Sequence, residues 1–352
     1  MVSKRSLAFQ NRIEHYLDQT LQISQGARIL LGISGGSDSV CLLHICVQFA
    51  KQRDWDLALA HVNHGLRENE SDADEKWVRQ LAQDYDLPCF VSYQNLKQEL
   101  NKEGGNLEDK ARVFRYQCYE RVSKKWNASY VALGHHLYDQ AETVLMHFLR
   151  GAKVKGLAGM SPKRLLRENV PVELIRPLLE CSKEDIEIYI KEQCLSFRED
   201  QSNQDLRFLR NRVRHELIPL LEKTYQPRLI AQMGSFANYA EGLEEHLQNY
   251  FEDLCSDIVR EDDNYLIIDL LAFERLSTFW KKECLYRLLK EVKTVGQELT
   301  RVHVNEVMKV LESTNPYVQM QVLKNLWFTK AYAQGAIGRK PLLEDMRLSF
   351  SC

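Results

Sequence analysis

The stretch Ile29-Leu30-Leu31-Gly32-Ile33-Ser34-Gly35-Gly36-Ser37-Asp38-Ser39 predicts a buried strand that ends at two glycines flanked by serines. Apolar residues then recur at helical spacing from Val40 to Val47, so the turn joins the carboxyl end of a strand to the first turn of a helix. Such a junction offers free backbone N–H groups and the positive end of a helix dipole to an anion. Gly35 and Gly36 allow close approach because they carry no Cβ.

The turn at residues 34–39, Ser-Gly-Gly-Ser-Asp-Ser, differs from two common phosphate-binding motifs. It lacks the Gly-Lys-Ser/Thr of a Walker A motif and the Gly-x-Gly-x-x-Gly spacing of a dinucleotide fingerprint. It resembles the pyrophosphate loop of the N-type ATP pyrophosphatase superfamily, whose members split ATP between its α and β phosphates. For a bare glycine pair the alternative is a simple turn, with Ser37 or Asp38 as the helix cap.

The composition is typical of a globular protein. A length of 352 residues predicts two or three domains, and 44% hydrophobic residues allow well-filled cores. No stretch approaches the ~18 apolar residues of a membrane span, and no signal-like segment follows the N-terminal charges, so we expect a cytoplasmic protein. The nine cysteines contain no Cys-x-x-Cys pair, which argues against a disulfide framework or a thiolate cluster.

Positive charge is concentrated locally, although the formal net charge is only −2. Residues 150–167 contain six Lys or Arg and no acid, and residues 201–214 contain four Arg against one Asp. A charge run is usually a solvated face. Two such runs close to a nucleotide site favour contacts with a nucleic-acid backbone.

Strands and helices alternate over the first half of the chain. Strands are predicted at 29–33, 57–63, 89–93 and 130–133, with helices at 72–85, 107–125 and 138–149 between and after them. Such units imply a parallel, doubly wound sheet covered on both faces. An amphipathic helix at 8–22 precedes them.

Beyond Leu179 the pattern becomes mostly helical. Helices are predicted at 182–192, 206–222, 229–253, 279–292 and 302–311, with short strands at 265–268 and 318–322. We therefore expect an α/β domain over residues 1–217, followed by a mostly helical domain over 218–352 with a small mixed α/β tail. Pro219 and Pro227 mark the boundary.

Polar sequence follows three of the predicted strands, at residues 34–39, 61–67 and 134–143. Ligands of parallel sheets bind beyond the carboxyl ends of the strands, so these segments should meet at one crevice. Four histidines lie there: His61, His64, His135 and His136. We expect one or two of them to hydrogen-bond a substrate or phosphate and the others to orient the loops, with a zinc site as the alternative.

Two carboxylates, Asp38 and Asp139, each come just after a strand. Carboxylates near a triphosphate suit Mg²⁺, which takes oxygen ligands and bridges phosphates. Each can instead cap its helix. Glu142 is a second acid on the same turn or the capping partner of Asp139.

A further dense segment covers residues 104–116. Asn106 can cap a helix from which Arg112, Arg115 and Tyr116 project together. Arginine offers bidentate phosphate contacts, which suit RNA or ATP. An exposed charged helix is the alternative.

These motifs, in their order along the chain, resemble the tRNA(Ile)-lysidine synthase family over roughly residues 25–217. The series consists of segments 34–39, 61–67, 105–116, 133–143, 150–157, 175–178 and 199–214. The resemblance implies an ATP pyrophosphatase domain, a helical domain that helps to hold tRNA, and a requirement for ATP and Mg²⁺. A tRNA cytidine thiolase and a non-catalytic tRNA-binding relative are the competing interpretations.

The reaction implied by the resemblance has two steps. The O2 of cytidine 34 in a CAU-anticodon tRNA(Ile) attacks the α-phosphate of ATP and pyrophosphate leaves. The ε-amine of L-lysine then attacks C2 and releases AMP. The tRNA and lysine are thus the expected partners, and a homodimer stays open.

The resemblance also implies roles for particular residues. ATP binding falls to Ser34, Gly35, Gly36, Ser37, Asp38, Ser39, His61, Gly134 and His135. Asp38 and Asp139 are expected to handle Mg²⁺ and pyrophosphate, and Arg212 to stabilise transition-state charge. The tRNA-binding candidates are Arg112, Arg115, Lys153, Lys155, Arg207, Arg210 and Arg214. Many relatives have Asp-Asp where this chain has Tyr138-Asp139, which places more weight on Asp139.

Overall fold

The computed structural model describes residues 3–65, 68–95, 107–198, 209–262, 264–294 and 296–342. The chain forms two compact units, Met1–Leu243 and Glu244–Cys352. The functional boundary predicted at residues 217–218 stays a prediction. Each unit has its own sheet and its own apolar core.

The first unit is built on a six-stranded sheet with β1 near its centre. Its strands are β1 Arg28–Gly32, β2 Asp56–Asn63, β3 Cys89–Tyr93, β4 Tyr130–Leu133, β5 Lys163–Leu165 and β6 Glu173–Ile175. The order is β3-β2-β1-β4-β6-β5, and every pair is parallel except β5 with β6. Strand order changes direction between β1 and β4, which is where an open parallel sheet forms its ligand crevice.

Helices cover both faces of this sheet. The described helices between residues 4 and 258 are α1 Lys4–Tyr16, α2 Ser37–Arg53, α3 Glu68–Asp84, α4 Leu107–Trp126, α5 Leu137–Leu149, α6 Val154–Leu157, α7 Lys183–Glu192, α8 Leu209–Arg212, α9 Ile218–Thr224 and α10 Leu229–Ile258, the last of which continues into the second unit. Two π-helical turns, Leu17–Leu21 and Val213–Leu217, follow α1 and α8. In the described ranges, no helix combines the length and apolar character needed to cross a membrane.

Alternate residues of β1 enter two different cores. Ile29 and Leu31 are buried in one core with side chains of α1, α2 and α7, whereas Leu30 is buried in the other with Tyr119 and Val122 of α4. A strand that is buried on both faces must be apolar throughout, which explains its unbroken Ile-Leu-Leu run. The predicted parallel, doubly wound fold is confirmed.

The second unit contains a five-stranded antiparallel sheet in the order β7-β8-β11-β10-β9. Its elements are β7 Val259–Asp262, β8 Tyr265–Asp269, α11 Leu270–Glu274, α12 Thr278–Val292, α13 Arg301–Glu312, β9 Tyr317–Leu323, β10 Leu326–Ala331 and β11 Gln334–Gly338. The predicted helical region with a mixed tail is confirmed. The sequence pattern does not predict three of the strands, β7, β10 and β11. Strand β7 is mostly polar, and β11 contains two glycines, a residue type that is depleted in strands.

Candidate functional site

The turn between β1 and α2 is closed by serine hydroxyls. Ser39 donates its Oγ hydrogen to the Gly36 carbonyl at 2.8 Å and accepts the Gly35 N–H at 3.2 Å. The φ angle of Gly35 is 103°, a conformation that strains other residues. Gly36 is the N-cap, and no described side chain caps α2. Its first N–H groups therefore face the crevice, and neither Ser37 nor Asp38 is the cap.

The residue after β4 touches the backbone of this turn. A Cβ built on Gly134 would lie 2.9 Å from the Asp38 carbonyl oxygen and 3.2 Å from the Ser39 nitrogen. Only glycine allows the end of β4 to approach the first turn of α2 this closely. The structure thus brings Gly134 against the loop, as expected for one wall of the crevice.

The N-terminus of α5 is closed by a capping box made of His136 and Asp139. His136 Nδ1 accepts the Tyr138 N–H at 3.2 Å, and Asp139 Oδ2 accepts the His136 N–H at 3.0 Å. Asp139 is therefore the return partner of the cap, with one of its oxygens on the backbone. Glu142 takes no part in capping.

Asp38 lies between the Lys183 ammonium group and the ring of His136. Lys183 Nζ donates to Asp38 Oδ1 at 2.6 Å and to Ser37 Oγ at 2.9 Å, and His136 Nε2 lies 3.5 Å from Asp38 Oδ2. Burial favours the protonated acid, but His136 and Lys183 outweigh it and hold the pKa of Asp38 below its ordinary value. Lys183 begins α7, whose N-cap is Ser182.

Asp139 and Glu142 face two arginines from the π-helical turn region. Arg214 donates to Asp139 Oδ1 at 2.7 Å and Arg210 to Glu142 Oε2 at 3.0 Å. Arg214 also bonds Glu142, and Arg210 also reaches Asp139. Glu142 is fully buried. Burial opposes ionisation of Asp139, but His136, His135 and the arginines lower its pKa far below the ordinary range.

Arg212 lies apart from these carboxylates. Arg210 and Arg214 are four residues apart and share a helix face, whereas Arg212 is exposed on the other side. The transition-state role predicted for Arg212 stays a prediction, and the geometry favours its two neighbours. Arg207 lies outside the described residues.

Tyr138 holds the π-helical turn against α5. Its hydroxyl donates to the Arg214 carbonyl at 2.9 Å, and its ring lies 5.9 Å from the Arg214 guanidinium carbon. The tyrosine therefore supports the arginine that bonds Asp139. This contact gives Tyr138 a structural role at the site.

The other histidines of the crevice have separate environments. His61 Nδ1 donates to the Ile33 carbonyl at 2.8 Å, which ties β2 to the end of β1, and burial lowers its pKa. His64 Nδ1 is buried and meets no hydrogen-bond partner among the described residues, and its pKa falls to about 4 through burial. His135 Nδ1 accepts from Arg176 Nε at 3.3 Å.

The predicted tRNA-binding residues occupy three places. Arg112 and Arg115 lie on α4, with Arg112 exposed. Lys153 and Lys155 lie in the loop after α5, a segment that includes the one-turn helix α6, with Lys153 as its N-cap and Lys155 within it. Gln140 fixes this segment, because its amide group donates to the Ala158 and Met160 carbonyls and accepts the Met160 N–H at 2.7 Å. Arg210 and Arg214 face the carboxylates of Glu142 and Asp139. Some of the N–H groups that were predicted to bind tRNA phosphates therefore already donate to protein oxygens.

Asp38 fits a Mg²⁺ ligand better than Asp139. The Asp38 side chain is 32% exposed beside the phosphate-binding turn, whereas both Asp139 oxygens already accept hydrogen bonds from Arg214 and the His136 backbone. In the described part of the chain no three acidic, His or Cys side chains are arranged so that they could hold a metal ion by themselves. An ion here would take most of its ligands from phosphate oxygens and water, as Mg²⁺ commonly does.

Sequence reasoning gave no role to two cationic residues near the crevice, Lys183 and Arg176, although Arg176 lies in segment 175–178 of the resemblance. Lys183 meets Asp38 across 145 positions of sequence, which no local pattern reveals. Arg176 left a signal, because a charged residue stands within the apolar run at 174–179. Its side chain is only 2% exposed.

Comparison with known proteins gives consistent results. The PP-loop domain family matches residues 6–221. The tRNA(Ile)-lysidine synthase of Bacillus cereus is 31% identical over 347 residues, 96% of this chain and 72% of that protein. The enzyme of the same name from Geobacter sulfurreducens is 34% identical over 328 residues, 91% of this chain and 68% of that protein.

A solved structure shares the fold. The U34-tRNA thiolase NcsA from Methanococcus maripaludis, with its [4Fe-4S] cluster, superposes with a TM-score of 0.56 at 20% identity, over 67% of this chain and 80% of that chain. At this identity the likeness concerns the fold alone.

Proposed function

Because the chain belongs to the tRNA(Ile)-lysidine synthase family of PP-loop enzymes, we propose that it ligates lysine to C2 of cytidine 34 in a CAU-anticodon tRNA(Ile). One observation carries the proposal for this chain. The phosphate-binding turn, the paired carboxylates of α5 and the arginines at 210 and 214 converge at one edge of one sheet.

In the first step the cytidine O2 attacks the α-phosphate, an O–P bond forms and pyrophosphate leaves. The uncapped N–H groups of α2 and the loop glycines bind phosphate oxygens. Lys183, bonded to Ser37 and Asp38, lies where it can offset the charge that grows on the leaving group. Mg²⁺ held by Asp38 would supply further charge neutralisation at the phosphates.

In the second step the lysine amine attacks C2, the C–N bond forms and AMP leaves with the former O2. Attack requires a neutral amine. Asp139 is a weak proton acceptor because its pKa is strongly lowered. We therefore assign Asp139 to holding Arg210 and Arg214 in place at the crevice, where their positive charge offsets the charge that develops on the reacting phosphoryl group.

The partners follow from the same proposal. L-lysine is the second substrate, and the basic loop after α5 contacts the tRNA backbone. The cytoplasm is the proposed compartment because tRNA and ATP are both present there. A homodimer remains open.

A tRNA cytidine thiolase is the competing activity, but the cysteines form no Cys-x-x-Cys pair for iron–sulfur or persulfide chemistry.

A product assay tests the function directly. The protein is incubated with labelled lysine, ATP and a tRNA(Ile) transcript bearing CAU, and the digested RNA is analysed by mass spectrometry. We expect lysine attached to cytidine 34, and none in a control transcript with U34. A thiolated cytidine with a sulfur donor present, or unmodified tRNA, would contradict the proposal.

A further inference from the structure

Three guanidiniums gather near the carboxyl ends of β4 and β6, and we call them the arginine cluster: Arg112, Arg164 and Arg176. Arg112 lies on α4, Arg164 on β5, and Arg176 directly after β6. Arg176 is buried, whereas Arg112 is exposed. The cluster therefore extends from the protein interior to the surface.

Tyr116 lies at the centre of the cluster. The guanidinium carbons of Arg112 and Arg164 are 5.4 and 5.3 Å from the centroid of its ring. Burial raises the pKa of Tyr116, but Arg112, Arg164 and Arg176 outweigh it, so the hydroxyl has a lowered pKa. Burial, reinforced by the neighbouring guanidiniums, lowers the pKa of Arg176 to about 10. These shifts reflect positive charge concentrated in a small volume.

The partners of the cluster are uncharged. Arg176 donates to His135 Nδ1 and to the Ser161 carbonyl, and Arg164 donates to the Leu165 and Leu166 carbonyls. Among the side chains that the structure describes, which leave out Glu108 on α4, no salt bridge joins a carboxylate to any of the three guanidiniums. Buried charge without an opposite charge is costly, so the site favours a bound anion.

We propose that the arginine cluster is a phosphate-binding site on the opposite side of β4 from the phosphate-binding turn. Guanidinium groups match phosphate oxygens in a bidentate manner. His135 adds a donor: its Nδ1 accepts from Arg176, so the neutral ring carries its proton on Nε2. Because this site rests on the proposed function, its phosphate belongs to ATP or to the tRNA backbone.

Binding measurements on the full chain test the site without relying on product formation. Arg112→Gln is the main variant because Arg112 is exposed, and Arg176→Lys is the second. Arg121→Gln, an exposed arginine on the same helix, is the matched control. The probes are α,β-methylene-ATP, measured by calorimetry, and a tRNA(Ile) transcript, measured by filter binding.

We expect Arg112→Gln to weaken one probe about tenfold, with Arg121→Gln unchanged. A loss confined to the nucleotide assigns the phosphate to ATP, and a loss confined to the transcript assigns it to the RNA backbone. Wild-type affinity of Arg112→Gln for both probes would overturn the proposal, even if Arg176→Lys fails to fold. If Arg112→Gln weakens one probe as expected but the wild-type protein forms no lysidine, the result contradicts the proposed function and leaves the phosphate site supported.

Discussion

At the scale of single residues, carboxylates alternate with basic side chains through the crevice. Lys183 bonds Asp38, His136 lies between Asp38 and Asp139, and Arg214 bonds Asp139. Three helix N-termini, those of α2, α5 and α7, also lie in this chain of contacts. Their dipoles favour ionised carboxylates, in agreement with the lowered pKa of both aspartates.

Replacing Asp139 should make stability less dependent on pH. Its folded pKa is lowered, so its contribution is full above the unfolded pKa of about 4 and disappears as the pH falls through the folded value. We expect Asp139→Asn to lower the free energy of unfolding by about 2–3 kcal/mol at pH 7. Urea unfolding at pH 7 and at pH 3 measures the difference, which should shrink at pH 3.

The control for this prediction is Asp56→Asn, which removes an exposed partner of Arg28. Exposed ion pairs contribute about 0–1 kcal/mol, so this variant should change little at either pH. A deficit of Asp139→Asn that stays constant between pH 7 and pH 3 would contradict the pKa argument.

Replacing Lys183 should weaken nucleotide binding. Lys183→Met leaves the Asp38 carboxylate facing the phosphates without its closest cation. We expect the affinity for α,β-methylene-ATP to fall about tenfold in calorimetry, the effect of one lost charge-assisted hydrogen bond. Lys191→Met, an exposed lysine of the same helix, serves as the control. Equal affinities in the two variants would show that Lys183 acts on Asp38 alone.

At the scale of elements, the sequence identifies strand ends but not the partners that meet there. The apolar run at β1 and the polar segments after β1, β2 and β4 predict one crevice, because parallel strands end at one edge. Local sequence patterns do not predict the hydrogen bond between Lys183 and Asp38 or the ion pair between Arg214 and Asp139. Those contacts depend on how α7 and the π-helical turn pack.

Capping illustrates the same limit. The pattern Asp-x-x-Glu at residues 139–142 suggests a cap with Glu142 as its partner. In the structure the cap lies three residues earlier, at His136, and Glu142 is buried against two arginines. Histidine is not among the common capping residues, so propensity alone favours the wrong position.

The close contact between Gly134, which follows β4, and the first turn of α2 predicts that adding one methyl group at residue 134 destabilises the protein. Gly134→Ala places a Cβ 2.9 Å from the Asp38 carbonyl oxygen, which is backbone and cannot rotate away. We expect a loss of about 1–3 kcal/mol in the free energy of unfolding, together with weaker binding of α,β-methylene-ATP. Thermal unfolding and calorimetry measure the two effects.

Gly242→Ala on α10 is the matched control, because no atom of the described residues lies within 4 Å of its Cβ position. Alanine is favoured over glycine in a helix by about 1 kcal/mol, so this variant should be slightly stabilised. If Gly134→Ala had the stability and nucleotide affinity of the wild type, the end of β4 would be able to shift away from α2 with no loss in the free energy of unfolding.

At the scale of the whole molecule, charge does not favour RNA. The formal net charge is −2, so long-range attraction to a polyanion is weak and local basic segments must supply the contacts. The loop after α5 is suited to this task. His147 Nδ1 lies 2.6 Å from the Gly156 carbonyl, and Gln140 fixes the far end of the loop at Met160. Its lysines are therefore held on a rigid support.

This arrangement predicts how tRNA binding should depend on salt. Replacing Lys153 and Lys155 by Ala removes up to two phosphate contacts, so the slope of log K against log[salt] should become shallower by about 1–2. Affinity for α,β-methylene-ATP should stay unchanged. Filter binding of the transcript over a series of salt concentrations measures the slope.

The matched control is the double replacement of Lys124 and Lys125 by Ala, at the C-terminal end of α4. It removes the same charge just before β4 begins, at the edge of the sheet opposite the crevice, so the slope should match the wild type. If both double variants reduce the slope equally, binding responds only to total charge. If neither does, the loop is a solvated face, and the RNA contacts belong to other basic residues.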